Sequence, residues 1–194
     1  MQPLANTTAI QFAGTPFLQT RAGRIVSAIA ATGLVAICAH IAVPLPFTPV
    51  PLTLQSFAVL LIGFLLGPVA GFFSLLAYLA EGAMGMPVFS PHGPGGIAQL
   101  LGPTGGYLFA YPLVAAVAGF MAQALRRSYV AYAAAGATAV LLLLLAGATW
   151  MLALLHLSLA AAWTAGIAPF LPGELIKICA AAGIYRAIRR QQTL

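Results

Sequence analysis

The sequence predicts an all-α integral membrane protein, a bundle of six transmembrane helices with both termini on the cytoplasmic side. Three observations lead there. Of 194 residues, 62% are hydrophobic and only 5% are charged, and the mean hydropathy is +1.02. A water-soluble domain carries roughly 25% charged residues, so this chain cannot cover itself in water and its solvent is lipid. The arginines form three clumps, each beside an apolar run: Arg21 with Arg24, Arg126 with Arg127, and Arg186 with Arg189 and Arg190. The segments between runs are rich in Pro and Gly. A net charge of +6 in this pattern marks membrane topology rather than nucleic-acid binding, because no long basic patch exists.

Residues 1–20 are polar, hold Pro and Gly and carry no charge, so they read as a tail without a cleaved signal. Residues 21–194 form a single transmembrane domain. Its first span is predicted from about 24 to 43, close to the roughly 20 residues that cross a bilayer. Ala28, Thr32 and Ala36 recur on it at spacing four. Small residues in that register let a second helix come close, either one from the same chain or one from a docking partner. Pro44, Pro46, Pro49 and Pro51 then exclude a helix.

The second span is predicted from about 52 to 66, with Thr53 and Gln55 in its first turn. Gly67-Pro68 breaks it, and Pro68 suits the start of a third span over about 68–84. Glu81 lies near the end of that span. Residues 85–103 contain Phe89, His92 and Gln99 in a Gly/Pro-rich loop of a length that is usually functional. Further spans are expected from about 104 to 125, from about 132 to 155, and after Pro172. A short helical piece is expected within 158–167, with Trp163 near the interface. An even number of spans puts all three arginine clumps on one side, which basic residues make the cytoplasm.

Glu81, Glu174 and Lys177 are then left in the outer leaflet. Lys177 is the only lysine, and the two glutamates are the only acidic residues. Glu174 and Lys177 lie three apart and share a helix face. Charges in a membrane interior normally face protein or a water-filled cavity and mark function. A structural reading stands beside this one: Glu174 gains from a helix start and Lys177 neutralises it. Together the three suit a small polar ligand with paired N–H groups and a carbonyl or carboxylate. Phe47, Phe89, Tyr107 and Trp163 are available to cover its apolar part, with the outer loops as a lid over the ligand pocket. Gln55 and Gln99 serve either the ligand or the loop backbone, and Tyr78 and Phe89 also read as packing.

Several activities lack their residues. Gly102-Pro103-Thr104-Gly105-Gly106 has no Gly-Lys-Ser/Thr ending for a phosphate. Three scattered histidines make no metal site. Cys38 and Cys179 read as buried free thiols with no disulfide. No nucleophile–base pair stands at a useful spacing, so the chain reads as a binder rather than an enzyme that needs a cofactor.

Pro46-Phe47-Thr48-Pro49-Val50-Pro51-Leu52-Thr53-Leu54-Gln55 is the first of four ordered motifs. Gly85-Met86-Pro87-Val88-Phe89, Gly102-Pro103-Thr104-Gly105-Gly106-Tyr107 and the segment from Pro169 to Lys177 complete them. From span one to the C-terminus these motifs resemble the BioY family, the biotin-binding S components of energy-coupling factor vitamin transporters. The resemblance implies biotin uptake across a prokaryotic cytoplasmic membrane, with a T subunit and two ATPase subunits as partners. It puts Glu81, Glu174 and Lys177 at the biotin site, with Glu174 where many members have Asp. No arginine in the 85–103 loop is present for the biotin carboxylate, so the N–H groups of Gly95 and Gly96 are expected to take it. The small face Ala28, Thr32 and Ala36 resembles the face on which such components dock the T subunit. The alternatives are another vitamin on the same scaffold, an intramembrane acid–base enzyme, or a structural subunit.

Overall fold

A computed structural model describes residues 20–125 and 128–191. The proposed tail and the Arg126-Arg127 clump lie outside the described residues, except for Thr20. Thr20 caps the first helix, α1 (Arg21–His40), by accepting the Gly23 N–H at 2.9 Å. The prolines exclude helix as expected, but their flanks pair. Strand β1 (Ala42–Val43) runs antiparallel to β2 (Leu52–Thr53), with Ala42 opposite Thr53. The proline segment bulges out between them, where its missing donors break no ladder bond.

Helix α2 (Gln55–Ala83) consists of two helical arms joined at Gly67, whose φ of 79° only glycine adopts without strain. The chain doubles back there. Gln55 and Tyr78 are 23 residues apart, which is about 34 Å along a straight helix. Their side chains are nevertheless hydrogen-bonded at 2.8 Å. A Cβ on Gly71 would stand 3.4 Å from the Gly63 Cα, so the two arms meet at backbone distance. Pro68 opens the second arm, where its missing N–H costs nothing.

After the short helix α3 (Gly96–Leu100) comes α4 (Gly105–Ala124), which packs on both α2 and α5 (Tyr129–Leu154). It runs through the buried Pro112 without a non-helical residue. Gly63 and Gly119 have no room for a side chain: each would strike the other helix's backbone. Ser128 caps α5 and Ser158 caps the short α6 (Leu159–Gly166). A bend of 49° separates α6 from α7 (Leu171–Gln191). Among the described residues four helices are long and apolar enough to cross a membrane, and α6–α7 taken as one span makes a fifth.

Apolar side chains cover the outside as well as the core. Ile25, Ile29, Phe73, Phe120, Leu141 and Ile176 are all exposed, as lipid solvent requires. The small stripe of α1 turns partly inward instead. Thr32 is buried, Ala28 and Ala36 are half-buried, and Ala36 packs on the core. Thr32 thus packs within the chain, Ala28 and Ala36 keep part of their surface outside, and the outer face of α1 carries Ile25, Ile29 and Ile37. Cys38 is buried as expected, whereas Cys179 is exposed on the outside of α7. Toward the arginine end the core closes with aromatics: Phe64 stacks on Tyr185 at 5.3 Å, and Tyr132 meets Tyr185 edge-on at 4.7 Å.

Gly119→Ala should force α4 away from the turn of α2 and destabilise the fold by about 1–3 kcal/mol. The measurement is the thermal unfolding midpoint of the detergent-purified protein.

Candidate functional site

The site forms where the start of α2, the start of α4 and the start of α7 come together beneath the loops. Glu174 lies in the first turn of α7, where the helix dipole favours a carboxylate. Lys177 follows one turn later on the same face, and both are buried, at 5% and 7% exposure. The ammonium donates to Glu174 Oε1 at 2.7 Å and to Ser56 Oγ at 3.0 Å. Ser56 in turn donates to the same Oε1 at 2.7 Å. Oε1 thus takes two hydrogen bonds, while the buried Oε2 has no partner among the described residues. A lysine has three protons to donate, so one N–H of Lys177 remains beyond these two bonds.

This triad borders a small cavity of about 50 Å³. Val50, Leu52, Leu108, Leu143, Leu144 and Phe170 form its apolar wall, and Thr53, Gln55, Ser90, Gln99, Tyr107 and Tyr111 add polar groups. An apolar chamber with a few convergent polar groups is the usual form of a small-molecule site.

Of the residues singled out from sequence, Gln55, Gln99, Tyr107, Glu174 and Lys177 line this chamber, and Glu81, Phe89, Gly95 and Gly96 are outside its lining. Glu81 is half-buried at the far end of α2 and does not join the other two charges. Phe89 packs edge-on against Tyr78 at 5.4 Å and fills the space over Gly82, so it supports the wall from behind. The N–H of Gly95, expected to hold a carboxylate, is taken by Gln99 Oε1 at 3.1 Å. Phe47 and Trp163 are exposed and cover no ligand space.

The loops are tied down by helix side chains. Thr53 Oγ1 donates to Gln55 Oε1 at 3.1 Å, Gln55 Nε2 donates to Tyr78 OH, and Tyr78 OH donates to Val88 O at 2.8 Å. Tyr107 OH donates to Gly166 O at 2.6 Å, and Trp150 Nε1 donates to Gly102 O at 3.0 Å.

Known proteins resemble this chain along most of its length. The model of the BioY family matches residues 7–193. The chain belongs to the BioY family. A biotin transporter BioY from Thermotoga maritima is 36% identical over 82% of this chain and 91% of that protein. A probable biotin transporter BioY from Pyrococcus horikoshii is 41% identical over 69% of this chain and 76% of its own. Among solved structures, the S-component for biotin from an ECF-type ABC transporter superposes with a TM-score of 0.81. It is 27% identical and covers 92% of this chain and 95% of that one.

For this BioY-family chain, sequence reasoning passed over Ser56 and Tyr111. Each had a signal. Ser56 adjoins Gln55 in a polar cluster opening an apolar run, and Tyr111 lies one helical turn beyond Tyr107, on the same face. No group of three metal-ligating side chains occurs among the described residues.

Tyr78→Phe removes the hydroxyl that joins Gln55 to Val88 O. It should destabilise the fold by about 1–3 kcal/mol, the penalty for buried unpaired polar groups. Hydrogen exchange should rise selectively at the Val88 segment.

Proposed function

We propose that this chain captures biotin from outside the cell as the substrate-specific S component of an ECF-type transporter. The observation that carries the reading is the buried, unpartnered Oε2 of Glu174 beside the spare N–H of Lys177. A buried carboxylate oxygen without a donor is costly, and a ligand N–H relieves it. The cyclic urea of biotin presents an N–H next to a C=O, which matches this adjacent acceptor and donor. Its apolar fused rings suit the wall of Leu108, Leu143, Leu144 and Phe170. The solved relative is an S-component for biotin, which supports the same ligand.

We further propose six membrane crossings, with the arms 55–66 and 68–83 of α2 crossing separately and both termini cytoplasmic. Helices α1 and α7 are each about 30 Å long. Their arginines, Arg21 and Arg24 on one and Arg186, Arg189 and Arg190 on the other, lie at the ends away from the cavity. The bias of basic residues toward the cytoplasm then opens the cavity outward. The sequence contains no phosphate-cradling loop, so any ATP energy used in transport comes from a partner T subunit and two ATPase subunits. Such partners meet the exposed apolar faces, and on α1 the half-exposed Ala28 and Ala36 remain available to the T subunit.

Lys177→Ala and Glu174→Ala should each weaken biotin binding at least tenfold, about 1.4 kcal/mol or more. Calorimetry on the purified protein measures this, and unchanged affinity in both variants defeats the assignment. Mass spectrometry of small molecules released from denatured, freshly purified protein should recover biotin.

A further inference from the structure

We infer that Ser56 is the positioning residue of this site: its hydroxyl holds Glu174 and Lys177 in the arrangement that leaves one carboxylate oxygen without a hydrogen bond, for the ligand to complete. Biotin as that ligand rests on the function proposed above, whereas the geometry does not.

A lone carboxylate and ammonium three residues apart attract most strongly when the ammonium lies between both oxygens. That arrangement engages both oxygens and leaves neither wholly without a partner. Here the ammonium is drawn to one side, because it also donates to Ser56 Oγ at 3.0 Å. Ser56 uses its single proton on Oε1 at 2.7 Å, the same oxygen that Lys177 engages. The three atoms close a ring of hydrogen bonds that saturates Oε1 and excludes Oε2. Both charged partners come from α7, but Ser56 comes from the start of α2, 118 residues away from Glu174 in the chain. The neighbouring Gln55 is anchored to Tyr78 on the returning arm. So the polarity of the site, which oxygen accepts and which nitrogen proton is free, is set by the fold-back of α2 and not by α7 alone.

A competing account makes Ser56 a passive filler that only satisfies the ion pair. The two accounts differ in coupling. If Ser56 acts through the pair, removing it matters only while the pair is intact. Ser56→Ala should weaken biotin binding about tenfold or more, as expected for a hydrogen bond to charged groups. In a Lys177→Met background the same change should weaken it less than about threefold, the scale on which independent effects are additive. Equal losses in both backgrounds overturn the assignment.

A second readout needs no ligand. The chain has only two acidic side chains, so Glu174→Gln identifies the Glu174 carboxylate stretch by infrared difference spectroscopy. Ser56→Ala should move that band in the ligand-free protein, and an unmoved band overturns the assignment. Wild-type protein that fails to bind biotin refutes the proposed function, while the infrared result still decides the role of Ser56. Should Ser56→Ala not fold, Ser56→Thr keeps the hydroxyl and should leave the band in place; a displaced band counts against the role.

Discussion

Two opposite charges placed where water is scarce constrain the rest of this molecule. Glu174 and Lys177 neutralise each other at 2.7 Å, but neutrality is not full solvation. A carboxylate has more acceptor sites than one ammonium and one hydroxyl can fill, and an ammonium has a third proton. Both residues border a chamber with apolar walls. A buried ion pair left partly unsatisfied is poor design for stability alone. It is good design for a guest that completes it.

The fold-back of α2 meets that constraint at long range. A straight helix would carry Gln55 and Tyr78 about 34 Å apart. The positive φ at Gly67 brings them into contact, and with them Ser56 reaches the start of α7. The glycines at 63, 71 and 119 let backbones approach to the distance at which the turn is tight. In lipid, where the hydrophobic effect does not drive helices together, close approach of this kind supplies the packing.

The two ends of the bundle are closed differently. On the side of the cavity lie irregular segments, and backbone turned away from water must be satisfied by protein. Tyr78, Gln99, Tyr107 and Trp150 do this by bonding loop atoms. On the arginine side the rings of Phe64, Tyr132 and Tyr185 pack against one another, and Arg189 lies 6.0 Å over Tyr185. One end is held by directional bonds to loops, the other by ring packing.

Composition alone set the solvent of this protein, since 5% charged residues cannot cover a fold in water. Periodicity and punctuation located the helices within a few residues, and Gly67-Pro68 marked the break in α2. Scarcity of charge singled out Glu174 and Lys177, and their spacing of three joined them on one face. Local sequence could not decide which distant groups meet them. Glu81 is as rare as Glu174, yet it stands outside the chamber lining, half-buried one turn beyond Tyr78 on the returning arm. The stripe Ala28, Thr32 and Ala36 is equally small whether it faces a sister helix or a partner, and only packing buried Thr32 while leaving Ala28 and Ala36 half-exposed. Ser56, a common residue in an apolar run, gained its place from a contact 118 residues away. Spacing along one helix is legible because the helix repeat is constant; contacts between helices depend on how the whole set packs, and no single segment carries that information.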